Sequence, residues 1–162
     1  MKKKLKLFSS FHFTDDWLYE VNDSYDHTKL RTYKKFKKNF KCEPYLNIPN
    51  VKVRTALAQF RMSAHHLAIE TMRYNGTAAH LRLCTQCNQV EDEMHHLLQC
   101  AKHSVLRSKL LSRAKEIIPR FERLDQEKKF IQLMSTQDHT LLYEIGSYLI
   151  QAANSQEITH AP

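Results

Sequence analysis

Three cysteines and a histidine lie close together in the middle of the sequence, in residue types and spacing that suit a metal ion. The pattern is Cys84-x2-Cys87-x7-His95-x4-Cys100. Two cysteines separated by two residues form a turn whose thiolates bind one side of a tetrahedral ion, and a histidine and a cysteine from a following helix complete the other side. Zn2+ is the abundant intracellular ion that accepts three thiolates and an imidazole. The pattern predicts a structural zinc site, because four protein ligands leave no position for a reacting water.

Spacing alone leaves the histidine ligand open. His95 and His96 are adjacent, and only one of them is expected to bind. His96 precedes Cys100 by four residues, so the two share a face of an unbroken α-helix. His95 precedes it by five residues and needs a looser turn. His103 is a weaker substitute, and Cys42, which stands apart, is interpreted as a small apolar residue.

The basic residues are concentrated before the cysteine cluster. The chain of 162 residues carries a formal charge of +8. Residues 1–83 hold 16 Lys/Arg and 7 Asp/Glu, which gives +9, and residues 84–162 hold 9 and 10, which gives −1. This asymmetry predicts an anionic partner, RNA or DNA in preference to a membrane surface. No apolar run approaches the roughly 18 residues that span a bilayer, so we expect no membrane partner. A protein partner and the oligomeric state stay open.

The elements that position these residues are predicted to be helices. Only two glycines and four prolines occur, which is too few turn residues for an all-β protein. Glu91, Asp92 and Glu93 favour the first turn of a helix, where carboxylates meet the positive end of the dipole. Apolar residues at helical spacing predict further helices over residues 29–41, 51–73, 103–118, 125–134 and 138–153. We therefore expect a mainly α protein, a small helical domain with one zinc-knuckle-like Cys3His insertion.

We divide the chain into three parts. Residues 1–43 are predicted to form a basic arm and amphipathic helices, residues 44–153 a helical zinc-binding domain with its knuckle at 83–101, and residues 154–162 a disordered tail. The lysine-rich start lacks the apolar core of a signal peptide, so we expect an intracellular protein, nuclear or cytoplasmic, that is not secreted. Clustered cysteines in such a compartment favour a metal site over disulfides.

A strip of lysines and aromatic residues before the zinc pattern is a candidate nucleic-acid contact. Seven basic residues fall in the thirteen positions from Lys29 to Lys41, with Tyr33, Phe36 and Phe40 interleaved. Helical spacing places the aromatic rings in the core and leaves the lysines outside to contact phosphate. The predicted nucleic-acid contacts are Lys34, Lys35, Lys37, Lys38, Lys41, Arg54, Arg61, Arg82 and Lys102.

No complete catalytic site is predicted. Phe13-Thr14-Asp15-Asp16 has the form of the paired carboxylates of a reverse-transcriptase palm, but no acidic residue precedes Phe13. Glu122, Asp125, Glu127 and Lys128 are interpreted as charged helix surface. We therefore expect that the chain is not an enzyme.

The residues around the cluster resemble a known family. Residues 81–100, LRLCTQCNQVEDEMHHLLQC, resemble the zinc-binding segment found after the polymerase in non-LTR (LINE-type) retrotransposon proteins. The family pattern is roughly Leu-Cys-x2-Cys, followed by Val-Glu-Asp-Glu-x-His-Phe-Leu-x2-Cys. It places its histidine at the position of His95, and His96 replaces the aromatic residue that follows. The resemblance extends more loosely over about residues 14–153, for instance at 56–65, ALAQFRMSAH.

The resemblance implies a Zn2+ ion on Cys84, Cys87, His95 and Cys100, in a nucleic-acid-associated tail of a mobile-element polymerase that lacks the polymerase itself. One hypothesis is a zinc-stabilised module that binds RNA or single-stranded DNA. The alternative is a zinc-stapled structural or protein-interaction domain, or a non-functional remnant of an element. The choice between RNA and DNA and any sequence preference stay open.

Overall fold

A computed structural model describes residues 13–19, 21 and 29–157 of the chain. The predictions of a basic arm over Lys2–Lys6 and of a disordered end over residues 158–162 lie outside the described residues. Within the described ranges the protein is mainly helical, and its extended pairing is one isolated antiparallel bridge between Leu83 and Val90. The predicted fold class is confirmed.

Four helices of ten residues or more form the body of the described chain. They are α1 (Val51–Arg61), α2 (Ser104–Ile117), α3 (Gln126–Ser135) and α4 (His139–Glu157). Shorter helical turns lie at residues 13–19, Tyr33–Phe36, Pro44–Asn47, Ala68–Thr71, Ala79–Leu81, His95–Gln99, Ala101–His103 and Phe121–Arg123. Within the described chain, no helix is both long and apolar enough to cross a bilayer.

Short polar side chains mark where three of the long helices begin. The Asn50 side chain accepts the N–H of Val53 at the start of α1, at 3.2 Å. Asp125 and Asp138 play the same part at α3 and α4, each with an oxygen 2.8 Å from a backbone nitrogen of the first turn. Such caps satisfy amide groups that have no partner within the helix. The two aspartates explain why the predicted starts of these helices are close to the observed ones.

The core is built around α4, which packs against α1 on one side and α2 on the other. Gly146 lies where α4 crosses α1. A Cβ atom at this position would lie 2.6 Å from Val53 Cγ1 and 3.0 Å from the Val53 carbonyl oxygen. Only glycine permits so close a crossing. The most deeply buried large side chains of the core include Leu57, Leu97, Leu110, Phe130, Leu133, Leu141 and Ile145.

The helix predicted over residues 29–41 is shorter than expected. Only Tyr33–Phe36 is helical, and Lys37 is already extended. Lysines four residues apart repel each other along a helix, which disfavours its continuation. Tyr33 and Phe36 enter the core as predicted, but Phe40 is 52% exposed, so its predicted place in the core is wrong. The division of the chain at residue 43 stays a prediction, while Tyr33 and Phe36 belong to the same hydrophobic cluster as the later helices.

The helix predicted over residues 51–73 stops at Arg61. Ser63 has a φ of 51°, and the N–H of Ala64 donates to the carbonyl of Gln59 at 2.7 Å. This is the Schellman arrangement that ends many helices. A second, four-residue helix, Ala68–Thr71, follows the break. At the other end of the chain, α4 includes residues 154–157, which were predicted to belong to the tail.

Candidate metal centre

Cys84 and Cys87 lie on a tight turn that closes on itself. The bridge between Leu83 and Val90 pairs its two ends. Within the turn, the N–H of Cys84 donates to the carbonyl of Gln89 at 2.7 Å, and the N–H of Asn88 donates to that of Cys84 at 2.9 Å. Asn88 has a φ of 52°, a left-handed conformation that asparagine tolerates better than most residues. The turn therefore presents both thiols from a fixed backbone.

His95 and Cys100 are brought together by a π-helical turn. The N–H of Cys100 donates to the carbonyl of His95 at 2.8 Å, a hydrogen bond that spans five residues instead of four. In this wider turn His95, not His96, lies over Cys100. The Asp92 carboxylate accepts the N–H of His95 at 2.7 Å and so begins the turn. An unbroken α-helix would place His96 over Cys100, but the helix here is of the π type.

The four predicted ligands converge at one point, which we call the Cys3His centre. The ligand atoms of Cys84, Cys87, His95 and Cys100 all lie within 4.8 Å of one another, so the group could hold a metal ion. The Sγ atom of Cys100 lies 3.9 Å from that of Cys84 and 3.9 Å from that of Cys87. Two thiolates on a tetrahedral Zn2+ with Zn–S bonds of ~2.3 Å are about 3.8 Å apart. The spacing is therefore compatible with zinc.

The side chains of the Cys3His centre have few hydrogen-bond partners among the described residues. Neither ring nitrogen of His95 has a hydrogen-bond partner among the described residues, although both are buried. Burial lowers the pKa of His95, which favours the neutral imidazole that binds metals. Burial also raises the pKa of Cys100 to about 12, whereas the Ala101 N–H, 3.3 Å from Cys87 Sγ, lowers that of Cys87. A bound cation would satisfy the buried sulfurs and one of the two imidazole nitrogens.

His96 points away from the centre into the core. Its ring centroid lies 6.0 Å from that of Phe60, 4.9 Å from that of His103 and 5.9 Å from that of Tyr148. Burial lowers the pKa of His96 to about 3, so this packed ring is neutral. Neither His96 nor His103 belongs to the converging group.

Two of the long helices, α2 and α4, donate hydrogen bonds to backbone carbonyl groups at the π-helical turn and at Cys100. Arg107 of α2 donates to the carbonyl of Cys100 at 2.7 Å. The Tyr148 hydroxyl of α4 donates to the carbonyl of His96 at 2.6 Å. Buried carbonyl groups need partners, and a π-helical turn disturbs the regular ladder that would supply them. These contacts fix the turn between His95 and Cys100 to the core.

A second buried polar cluster, which is not predicted from the sequence, lies beside the centre. Glu93 is 1% exposed and accepts hydrogen bonds from the side chains of Arg31, Thr32, Ser63 and His65, at 2.8–3.1 Å. We call this group the Glu93 network. Burial alone would raise the pKa of Glu93, but the hydrogen bond from His65 and the charge of Arg31 outweigh it and lower the pKa to about 2.

The Glu93 network continues to a second buried carboxylate. Arg31 also pairs with Glu70, which in turn accepts the Nε–H of Arg73 at 3.1 Å. The contacts join segments that are up to 62 residues apart in the chain. Of the three acidic residues predicted at the start of a helix, only Asp92 caps the turn of His95. Glu91 instead accepts the N–H of Ala68, at the start of Ala68–Thr71.

The predicted nucleic-acid contacts separate into surface and interior residues. The exposed ones are Lys35, Lys38, Lys41 and Lys102, and the half-buried ones are Lys34, Lys37 and Arg54. Lys35 pairs with Glu127 at 2.8 Å on the surface, and Arg54 donates to the carbonyl of Ile48 at 2.8 Å. Whether the surface residues contact nucleic acid stays a prediction.

Arg61 and Arg82 do not lie on an exposed contact face, which corrects their predicted place. Arg61 is 4% exposed, and its guanidinium binds Glu43 and the carbonyl of Met134. Arg82 is 5% exposed and donates to two backbone carbonyls at 2.7 and 2.8 Å. Both guanidinium groups stabilise the interior, a role that sequence spacing does not distinguish from surface exposure.

Compared with known proteins, the chain matches no family model, no curated protein and no solved structure. The resemblance to retrotransposon tails over residues 81–100 stays a prediction.

Proposed function

We propose that this chain is a structural zinc-binding module in which Cys84, Cys87, His95 and Cys100 hold one Zn2+ ion. The observation that carries the proposal is the convergence of these four ligand atoms within 4.8 Å. Three sulfurs and one nitrogen complete a tetrahedron and leave no open position for substrate or water. The ion would join the turn at residues 84–88 to the π-helical turn and so stabilise the fold.

Metal reconstitution tests this proposal. The reduced full-length chain, stripped of metal, is titrated with Zn2+ and with Co2+, whose absorption reports tetrahedral thiolate ligands. We expect one ion per chain, a cobalt spectrum typical of three thiolates, and a rise in thermal stability on loading. A chain that binds no ion above background, or whose melting temperature does not respond to the ion, would contradict the proposal.

A matched pair of substitutions tests the histidine. His95→Phe removes the fourth ligand, so we expect weaker zinc binding and an altered cobalt spectrum. His96→Phe keeps an aromatic ring among Phe60, His103 and Tyr148 and is expected to bind one tetrahedral ion like the parent chain. The opposite result would make His96 the ligand.

We also propose, as a second function, that the module binds single-stranded RNA or DNA through exposed lysines. Two observations support it: the charge of +9 over residues 1–83 and the exposure of Lys35, Lys38, Lys41 and Lys102. The predicted resemblance of residues 81–100 to retrotransposon tails would be in keeping with it. Phosphate contacts by lysine release counterions, so such binding must weaken as salt increases.

Fluorescence anisotropy of a labelled single-stranded RNA and of the same DNA sequence, at several salt concentrations, tests the second function. We expect binding that weakens steeply with salt. A folded, zinc-loaded chain that binds neither strand would favour the alternative, in which zinc only completes a structural or protein-interaction domain.

A further inference from the structure

A cleft of about 300 Å³ lies between the chain at residues 36–45 and residues 134–137, which form the end of α3 and the start of the turn after it. We call it the lysine cleft. Arg61 of α1 and Leu142 of α4 complete its lining. Its volume is at the lower end of the range of small-ligand sites. The cleft is separate from the Cys3His centre, and none of the four proposed metal ligands lines it.

The lining of the lysine cleft is strongly cationic. Lys37, Lys38, Lys41 and Arg61 face a single carboxylate, Glu43, which gives a formal charge of +3. Glu43 is already satisfied, because it pairs with Lys37 at 3.1 Å and with Arg61. Lys38 and Lys41 are therefore not neutralised by a carboxylate of the lining. A concave surface with this excess of positive charge concentrates anions.

Hydrogen-bond donors at the floor and the far wall add to this charge. Arg61 is 4% exposed, and its Nε–H has no partner among the described residues. Its other nitrogens hold the carbonyl of Met134 and the Glu43 carboxylate. On the far wall, Thr136 Oγ1 accepts the N–H of Asp138 at 3.2 Å, so the hydroxyl hydrogen can be donated to a ligand. Two exposed lysines and a hydroxyl donor in one lining, with the buried charge of Arg61 added, suit a ligand with several anionic oxygens.

We propose that the lysine cleft binds the phosphate group of a nucleotide, with the exposed Lys38 and Lys41 as its contacts and the buried charge of Arg61 adding to the attraction. The inference rests on the proposed nucleic-acid function and gives it a phosphate-binding site. The phosphate belongs either to a free nucleotide or to one unit of a single strand, and the experiment distinguishes these sources.

Cys42 supplies a probe of occupancy. It lines the cleft, is exposed, and is a free thiol. In the zinc-loaded chain the other three cysteines are held by metal, so a maleimide reagent reports on Cys42. The rate of modification is measured with inorganic phosphate, a nucleoside monophosphate and a short single-stranded RNA, against chloride at matched ionic strength. We expect at least a threefold slowing with the nucleotide or the RNA, and equal rates in every solution would overturn the inference.

Charge reversal at the two exposed lysines gives a second measurement. Lys38→Glu combined with Lys41→Glu is compared with Lys109→Glu combined with Lys115→Glu on α2, which changes the net charge equally. Loss of the one phosphate held by both lysines should reduce the salt slope of RNA binding by about 0.7. We expect at least tenfold weaker RNA binding for the cleft pair and less than threefold weakening for the α2 pair. Equal weakening by the two pairs would overturn the inference.

The two measurements separate the inference from the proposed function. If RNA does not bind but the nucleoside monophosphate protects Cys42, the cleft is a nucleotide site and the nucleic-acid proposal fails. RNA could instead bind without changing the modification rate of Cys42, and with the same affinity for the variant that combines Lys38→Glu and Lys41→Glu. In that case nucleic-acid binding stands and the lysine cleft is not its phosphate site.

Discussion

The Cys3His centre and the Glu93 network are neighbours on one short helical segment, but they are completed in opposite ways. At the network, a buried anion is surrounded by donors from the chain itself, and its charge is balanced by Arg31. At the centre, three thiols and an imidazole have few partners within the chain. The first has its partners within the protein, whereas in our proposal the second would be completed by a cation from solution. Loss of metal should therefore act on one and leave the other nearly intact.

Removal of a cysteine ligand is the largest expected effect, since it breaks the centre alone. Cys100→Ser should abolish stoichiometric zinc binding and lower the melting temperature by roughly 10–20 °C, because loss of the ion costs ~5 kcal/mol at about 2–4 °C per kcal/mol. Cys42→Ser, at an exposed free thiol, should change it by less than ~2 °C. Thermal melts with metal analysis measure both, and equal effects would contradict the ligand assignment.

Neutralisation of the buried carboxylate should break the network and spare the centre. Glu93→Gln removes one of the two buried carboxylates that pair with Arg31, which we expect to cost about 3 kcal/mol, or roughly 6–12 °C. Glu127→Gln, which removes an exposed pair with Lys35, is the control and should cost less than ~1 kcal/mol. The chain should still bind one zinc ion. If Glu93→Gln also lost the metal, the two clusters would have to be treated as one cooperative unit.

Removal of one donor from the network is the smallest expected effect. Ser63→Ala deletes the hydroxyl that lies 2.8 Å from Glu93 and should cost about 1 kcal/mol, or roughly 2–4 °C. Serine and alanine tolerate the positive φ at this position similarly, so the backbone cost should not change. Ser108→Ala, at an exposed hydroxyl on α2, provides the comparison and should be neutral within ~0.5 kcal/mol. Denaturant unfolding resolves differences of this size.

The same contrast explains which parts of the molecule were predictable from sequence. The Cys3His centre depends on residues within a span of 17 positions, and the helices at 104–117, 126–135 and 139–157 follow from local periodicity and nearby caps. The Glu93 network joins residues that are far apart in the chain, and each of them alone resembles an ordinary polar residue. Its long-range contacts also explain why Ser63 ends α1, where local propensity favoured a continuous helix.

The surface was the least predictable part for a related reason. A lysine-rich strip identifies a basic region, but it does not show which of its charged side chains are paired with other groups inside the protein. The sequence predicts Arg61 and Arg82 on the surface with the lysines, because it does not show the backbone carbonyl groups to which these arginines donate hydrogen bonds. The lysine cleft needs the turn after α3 as its far wall, and that turn is about 90 residues away in the sequence.

The π-helical turn at His95–Gln99 has a consequence for how such chains diverge. A π-helical turn contains one residue more than an α-helical turn, so the length of the segment and its helix type are linked. Deletion of a single residue between His95 and Cys100 would place His95 four residues before the cysteine, and an α-helical turn would then keep the same histidine over it. The pairing of this histidine and cysteine can therefore be retained while their spacing changes by one residue. Sequence searches that require a fixed histidine-to-cysteine interval would miss relatives that carry this change.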